Sequence, residues 1–562
     1  MFTKTVVLSL SLSVGLMATS LGINLKLDKD ISSKIFFKDQ VEKIYPNLFF
    51  KNKPKKICEG IFKRDVVYFA DEHDPHNRLL VLDYKNMKLL KEIPLNGSLN
   101  HHADLAGTLK DAPYVVTIPK GSNFIAFYNI KNGEFVKKIR LPFRPRSADA
   151  YNKRKDLLFL NSRDRPAGVI IDTKAVKIVG KLGFNIDCRD GRVITNKEIK
   201  NLVCTTNDFG GDQISGHPIW LSARSVALLD RANRYIHVFK LKRKKDIYDA
   251  KLIQSIPTDT SLHQMIPLYP KRVNNRIFFG ETESNVQQKK YAGVYKFIRR
   301  GDKLKVKNFT YLKYKNIIGI YGHNLYITPN KKFLYAPAGA TITKEGVIKK
   351  GGIFVVDTKS MKVIKFIQTG FGAGHVAFAR KKGIAIVTNH KDEYVSAINW
   401  KKHQFIKNIQ LPFEHEGIAS LNQSHSQYID KEEDYYYNFW SDGGEFFKIG
   451  LDSLEVEDEL YVGGVPIQGN FVEKVTTRCN IPTPAPEDGF DEFFSDFKND
   501  LIDSTKTLIG IGDKSSTSNK SSLEINGYDD SSKDFVKGIE EKLKTQHQNR
   551  NTTTNQLNKP TK

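Results

Sequence analysis

Gly372-Ala373-Gly374-His375-Val376-Ala377-Phe378 decides how the rest of the chain is read, because its pattern returns along most of the sequence. A histidine opens an apolar segment again at Gly322-His323-Asn324-Leu325-Tyr326, Gly216-His217-Pro218-Ile219-Trp220, Leu262-His263-Gln264-Met265-Ile266, Ser424-His425-Ser426-Gln427-Tyr428 and His101-His102-Ala103-Asp104-Leu105. About ten residues beyond each lies a β-rich run, such as Ile384-Ala385-Ile386-Val387 or Val226-Ala227-Leu228-Leu229. From His102 to His425 the successive gaps are 115, 46, 60, 52 and 50 residues, and the first holds a repeat without histidine that begins near Ser147. A period of roughly 40 to 50 residues built of short strands is how a β-propeller reads in sequence.

Working outward, units of four antiparallel strands begin near residues 61, 102, 147, 217, 263, 323, 375 and 425. The fold class is therefore all-β, a seven- or eight-bladed β-propeller. Eight blades result if residues 465 to 472 complete the first unit, and seven if its strands are shared with the last. Third strands end on Asp or Asn, as in Gly168-Val169-Ile170-Ile171-Asp172 and Ile353-Phe354-Val355-Val356-Asp357. Such a side chain can bond its own backbone in the turn that follows.

The flanks read differently. Residues 1–22 resemble a secretory signal: Lys4, an apolar run from Val6 to Met17, then the small residues Ala18-Thr19-Ser20. A Lys-rich lead-in covers 23–60, the propeller 61–479, and a Ser-, Asn- and Lys-rich tail 480–562 has too little apolar content to offset the entropy of ordering. No later run approaches the length of a membrane-spanning helix, so the expected location is the periplasm or another exported compartment. Four cysteines suit that setting: Cys58 with Cys479 would staple the ring's ends, and Cys188 with Cys204 would pin the insertion from Asn185 to Ser215. The formal charge of +26 is spread over turns and strand edges, as at Lys331-Lys332 and Lys401-Lys402, where lysine blocks edge pairing. No nucleic-acid partner is expected.

Residues that open the inner strands of successive blades converge on one mouth of the channel. His102, His217, His263, His323, His375 and His425 would form a crown there, with His101 beside His102. His390, and His73 and His76, fall on loops of the same face, whereas His237, His403 and His547 fall elsewhere. A lone histidine on an apolar strand is more often a satisfied core residue than a ligand; six at equivalent positions are harder to explain by packing. Imidazole nitrogen suits copper, zinc, iron and nickel. Seven donors exceed a mononuclear tetrahedral site, which points to a multinuclear cluster.

The adjacent pair His101-His102, followed by His263, His323, His375 and His425 in order and spacing, resembles the catalytic propeller of nitrous oxide reductase over roughly residues 66 to 465. That resemblance implies a multinuclear copper cofactor, redox chemistry on a small-molecule substrate, and Lys391 of Lys391-Asp392-Glu393-Tyr394 as a charged catalytic neighbour of the metal. Asp104 or Glu416 would orient imidazoles. Two departures stand out: His217 is an extra histidine where the family takes a ligand from the blade of Ser147, and residues 480 to 562 hold no Cys or Met with which to build the family's cupredoxin copper site. A separate electron-donor protein is then expected.

Two other readings share the fold. A haem-binding propeller similar to the haem-containing denitrifying nitrite reductase would use axial histidines and the guanidiniums of Arg144, Arg146, Arg163, Arg165 and Arg231. A noncatalytic propeller of the surface-layer YVTN-like kind, which the stretch Asn389 to Asn399 resembles, would bind a partner or the cell envelope.

Overall fold

A computed structural model describes residues 65–72, 77–95, 100–106, 114–150, 157–195, 213–270, 275–284, 289–411, 423–441 and 443–472. For Asn100–Ala106 and for Asp149 and Ala150 it describes the backbone alone. The signal segment, lead-in and tail lie outside the described residues, as do Cys58, Cys204, Cys479, His73, His76, His547 and Glu416. Cys188 is disulfide-bonded.

The described strands form eight blades of four strands, with a further pair, Lys313–Tyr314 and Ile317–Gly322, added to the sheet of blade 6. Seven blades take their strands in chain order, and their inner strands are Asn100–Ala106, Pro145–Ala150, Ile219–Ser222, Leu262–Pro267, Tyr326–Ile327, Ala373–Ala379 and Tyr428–Ile429. Blade 1 instead borrows its inner strand from the far end: Pro466–Val472 pairs antiparallel with Val66–Asp71, placing Val66 opposite Val472. Of the two counts the sequence allowed, closure by residues 466 to 472 selects eight. Side chains secure that junction. Asp71, fully buried, takes Arg78 Nε at 3.0 Å and the Val465 N–H at 2.8 Å.

The strands are apolar on both faces because each blade is covered on both sides, the condition that turns alternating patterns into continuous hydrophobic runs. Val66, Tyr68 and Ala70 pack with Val115 and Tyr128 of blade 2, while Val67 and Phe69 face Tyr437, Phe439 and Phe446 of blade 8. The same division repeats around the ring, with one buried apolar cluster between each pair of successive blades and the eighth joining blade 8 to blade 1. Outermost strands are the exception. Gln404–Gln410 and Lys88–Pro94 are largely exposed and carry the lysines and glutamates that discourage edge pairing.

Turns follow the Asp and Asn signals. Asp172 Oδ1 accepts the N–H groups of Lys174 and Ala175 at 2.9 and 3.0 Å, and Asp357 Oδ1 those of Lys359 and Ser360 at 3.1 and 2.7 Å. These Asx turns reverse the chain between the third and fourth strands, which keeps the blades in register and the inner strands on the channel.

Candidate metal centre

A β-bulge presents the key residues. In blades 2, 3, 5 and 7 the pairing of the first two strands skips a residue near the channel end of the inner strand. The residues at the skips are His101 in blade 2, Arg146-Ser147 in blade 3, His263 in blade 5 and Gly374-His375 in blade 7. A bulge leaves its extra residue out of the ladder and re-aims its side chain; in blades 5 and 7 the imidazoles so presented, His263 and His375, stand in one cluster with His323. His217, His323 and His425 reach the same level from the segments that lead into their inner strands.

The imidazoles form a continuous arc. Ring centroids lie 5.1 Å apart for His217 and His263, 4.7 Å for His263 and His323, and 5.1 Å for His323 and His375. His425 stands 5.0 Å from His375 and 5.7 Å from His323. His390 closes the group at 5.1 Å from His375 and 5.2 Å from His425. In His323, His375, His390 and His425, one nitrogen from each ring lies within 4.8 Å of the others.

The local sequence builds this spacing. His390 directly follows the second strand of blade 7, and its N–H donates to the Gly372 carbonyl at 2.9 Å, so the opening stretch of that blade carries it. A Cβ on Gly374 would lie 2.5 Å from His390 Cδ2 and closer still to Nε2, which restricts that position to glycine. Gly216 serves the arc's other end: a Cβ there would meet the Leu262 carbonyl at 2.5 Å, and without one the His217 N–H reaches the His263 carbonyl at 2.8 Å.

Hydrogen bonds fix the open nitrogen of His390 and leave Nε2 of His375 without a partner. His390 Nδ1 is 2.8 Å from the Gln423 carbonyl, which can only accept, so Nδ1 carries the proton and Nε2 keeps a lone pair. His375 Nδ1 is 2.7 Å from the Tyr326 hydroxyl, which can donate or accept, and 3.3 Å from the Asn324 amide nitrogen; Nε2 binds a metal in the tautomer whose Nδ1–H donates to Tyr326. Both Nε2 atoms are buried and lack any hydrogen-bond partner. On the arc, His263 Nδ1 is 3.0 Å from Glu283 Oε1, and Glu283 is gripped by Arg231 through bonds of 2.6 and 3.1 Å. A carboxylate behind an imidazole orients it and raises its basicity toward a metal.

Burial drives the electrostatics. It lowers His390 to about 4, with Lys391 adding to the effect against the Gln423 hydrogen bond, and lowers His323 to about 3, aided by the charge of His390. His263 and His375 are held well below the ordinary value, first by burial and then by neighbouring imidazoles. Glu281, fully buried under Gly322, is pushed well above the usual carboxylate range by burial and by Glu283. The cavity therefore holds neutral rings, which is the form that binds metal. An all-imidazole donor set with two buried, unbonded nitrogens in one group fits a borderline metal ion.

Of the residues singled out from sequence, His323, His375 and His425 meet within one group, and His263 and His217 extend it along the channel. The side chains of His101, His102 and Asp104 lie outside the described residues, although the His101 bulge places the pair's backbone at the equivalent station. Lys391 is exposed beside His390 and donates its N–H to the Phe371 carbonyl at 3.1 Å. Sequence reasoning put His390 on this face without counting it among the ligands, and did not find Gln423, Tyr326 or Glu283. A signal existed for His390 and Glu283: both follow the last residue of a second strand, Asn389 and Thr282.

No protein-family model and no curated protein matches the sequence. Solved structures do match. The dihydro-heme d1 dehydrogenase NirN in complex with DHE aligns at 12% identity over 79% of this chain and 86% of its own, with a TM-score of 0.51. AztD of Citrobacter koseri aligns at 11% identity over 73% of this chain and 100% of its own, TM-score 0.48, and the periplasmic gluconolactonase PpgL of Pseudomonas aeruginosa at 12% over 62% and 95%, TM-score 0.42. At these identities the first likeness supports the propeller architecture alone, and the site must be read from its own residues.

Proposed function

We propose that this protein is an exported metal-binding β-propeller whose channel mouth holds a metal through His323, His375, His390 and His425, with copper as the ion. The observation that carries the reading is the pair of buried, unbonded Nε2 atoms of His375 and His390 inside the group whose donors lie within 4.8 Å. Leaving two buried acceptors unsatisfied costs about 1–3 kcal/mol each, and a shared ion removes that cost. His263, with Glu283 behind it, and His217 stand close enough along the arc to enlarge the site to more than one ion, as the resemblance to nitrous oxide reductase implies. Bound copper would supply redox chemistry toward a small molecule, fed by a separate electron donor, with Lys391 lending positive charge at the rim.

Four converging imidazoles favour a metal ion over haem, which needs one or two axial ligands. Among the described residues no helix is long and apolar enough to cross a membrane, and export is carried by the reading of residues 1–22. The test is elemental analysis of full-length protein secreted under copper-replete conditions, together with its absorption spectrum. At least about one equivalent of copper per chain, lost in His375→Ala/His390→Ala, is expected. A folded protein with substoichiometric metal would overturn the proposal, and a macrocycle spectrum would move it to haem.

A further inference from the structure

Blade 3 departs from the crown in an informative way. Its inner strand skips the ladder where blades 2, 5 and 7 do, yet the re-aimed residues are Arg146 and Ser147 rather than histidine. A second channel position, the residue directly after the second strand, is His390 in blade 7 and Glu283 in blade 5. In blades 3 and 4 it is Arg163 and Arg231, after Leu157–Ser162 and Ser225–Asp230. Both stations of blade 3 therefore carry guanidinium. In a ring of eight, blade 3 lies across the axis from blade 7, which bears His375 and His390.

These are not surface arginines. Arg146, Arg163 and Arg231 are 6%, 4% and 8% exposed. Arg146 donates from Nε and Nη2 to the Gln213 amide oxygen at 3.2 and 3.0 Å, and Arg231 donates to the Gln213 backbone carbonyl at 2.8 Å, so Gln213 bridges two of them. Arg231 of blade 4 bonds Glu283 at 2.6 and 3.1 Å, and Glu283 lies 3.0 Å from His263 Nδ1, so hydrogen bonds run from Arg146 through Gln213 and Arg231 to the imidazole arc. Bringing guanidiniums out of water is costly; Gln213 takes Nε and Nη2 of Arg146 and Glu283 takes Arg231, and a guanidinium matches the oxygens of an anion through its remaining N–H groups. His217, His323 and His425 stay partly exposed, which leaves a route for solute.

We propose that blade 3 is the recognition site for a small oxyanion, gripped by Arg146 and Arg163 and presented across the channel to the imidazole cluster. This assigns a substrate class to the site and rests on the metal reading only for what the anion is presented to. Calorimetry on the full-length, metal-free protein tests it with sodium formate, nitrite and sulfite, each against sodium chloride at matched ionic strength. At least one oxyanion should bind with 1:1 stoichiometry. Arg146→Gln and Arg163→Gln should each weaken it by about tenfold or more, whereas Lys174→Gln on an exposed turn of the same blade should not. Arg146→Lys keeps the charge and loses the fork; it should still weaken binding, and it decides the matter if the glutamine variants do not fold. His375→Ala/His390→Ala should retain anion binding, which separates this proposal from the metal assignment. Oxyanions binding no better than chloride, or wild-type affinity in the arginine variants, would overturn it.

Discussion

His237 and His375 are both buried imidazoles on apolar strands, and their nitrogens are used in opposite ways. His237 lies in the body of blade 4, with Nε2 3.1 Å from Asp230 Oδ2 and Nδ1 2.9 Å from Ser255 Oγ. Both of its nitrogens are engaged by its own blade, so it ties the second, third and fourth strands together. His375 has Nδ1 against Tyr326, a residue of the preceding blade, and Nε2 bonded to nothing. His390 repeats the second arrangement. A buried histidine whose bonds close within its blade is part of the scaffold; one held from behind by a neighbouring blade, with the other nitrogen unbonded, is available to a ligand.

The sharpest way to break this distinction is to delete each kind. His375→Ala/His390→Ala should abolish metal retention and, with it, about 4 kcal/mol of stabilisation at metal concentrations a thousandfold above Kd, read as a lost metal-dependent shift in the melting temperature. His237→Ala should do the reverse. Removing the imidazole takes one partner from Asp230, which keeps Asn233, and leaves Ser255 without its imidazole bond; the cost is roughly 1–3 kcal/mol, seen in urea unfolding, while metal content stays at the wild-type level.

Acidity tests the crown as a whole in the metal-free protein. Unfolded histidines take up protons near 6.5, but His390 does so at about 4 and His323 at about 3 in the folded protein. Between those values the unfolded state binds more protons, so stability falls as the pH drops through this window. It is complete above 6.5 and levels off below about 3. Urea titrations at stepped pH should show this slope, and it should flatten in His375→Ala/His390→Ala.

Gly374→Ala is subtler. The added methyl displaces His390 without touching its chemistry, and misaligning a ligand costs about 10- to 100-fold in metal affinity, measurable by competition with a chelator. Lys391→Gln should do least. As an exposed rim residue it should alter stability by no more than about 0.5 kcal/mol and leave metal affinity within about twofold; a large loss would make it part of the binding machinery.

Much of the fold was legible because a propeller repeats its grammar. The unit starts and the Asp and Asn turns are local signals, and each has its counterpart in the strands, whereas the closure of blade 1 by Pro466–Val472, one of two counts the sequence left open, was decided by the fold. The candidate site was legible in part: His323, His375 and His425 were found because each opens a repeat. His390 was harder to count because its position, just after a second strand, is filled by Arg163, Arg231 and Glu283 in other blades and so shows no histidine periodicity. Gln423 and Tyr326 left no signal of their own, since each acts by reaching a residue of another blade.

By itself, the sequence determined the strand period, the number of units available and the level along each blade at which a histidine stands, because these depend on neighbours within a few residues. Tertiary structure alone decided which imidazoles meet, which nitrogen of His375 and His390 is left without a hydrogen bond, and that Arg146 and Arg163 of blade 3 are buried. Those outcomes depend on the closure of the ring and on bulges that re-aim single side chains, and a linear pattern carries neither.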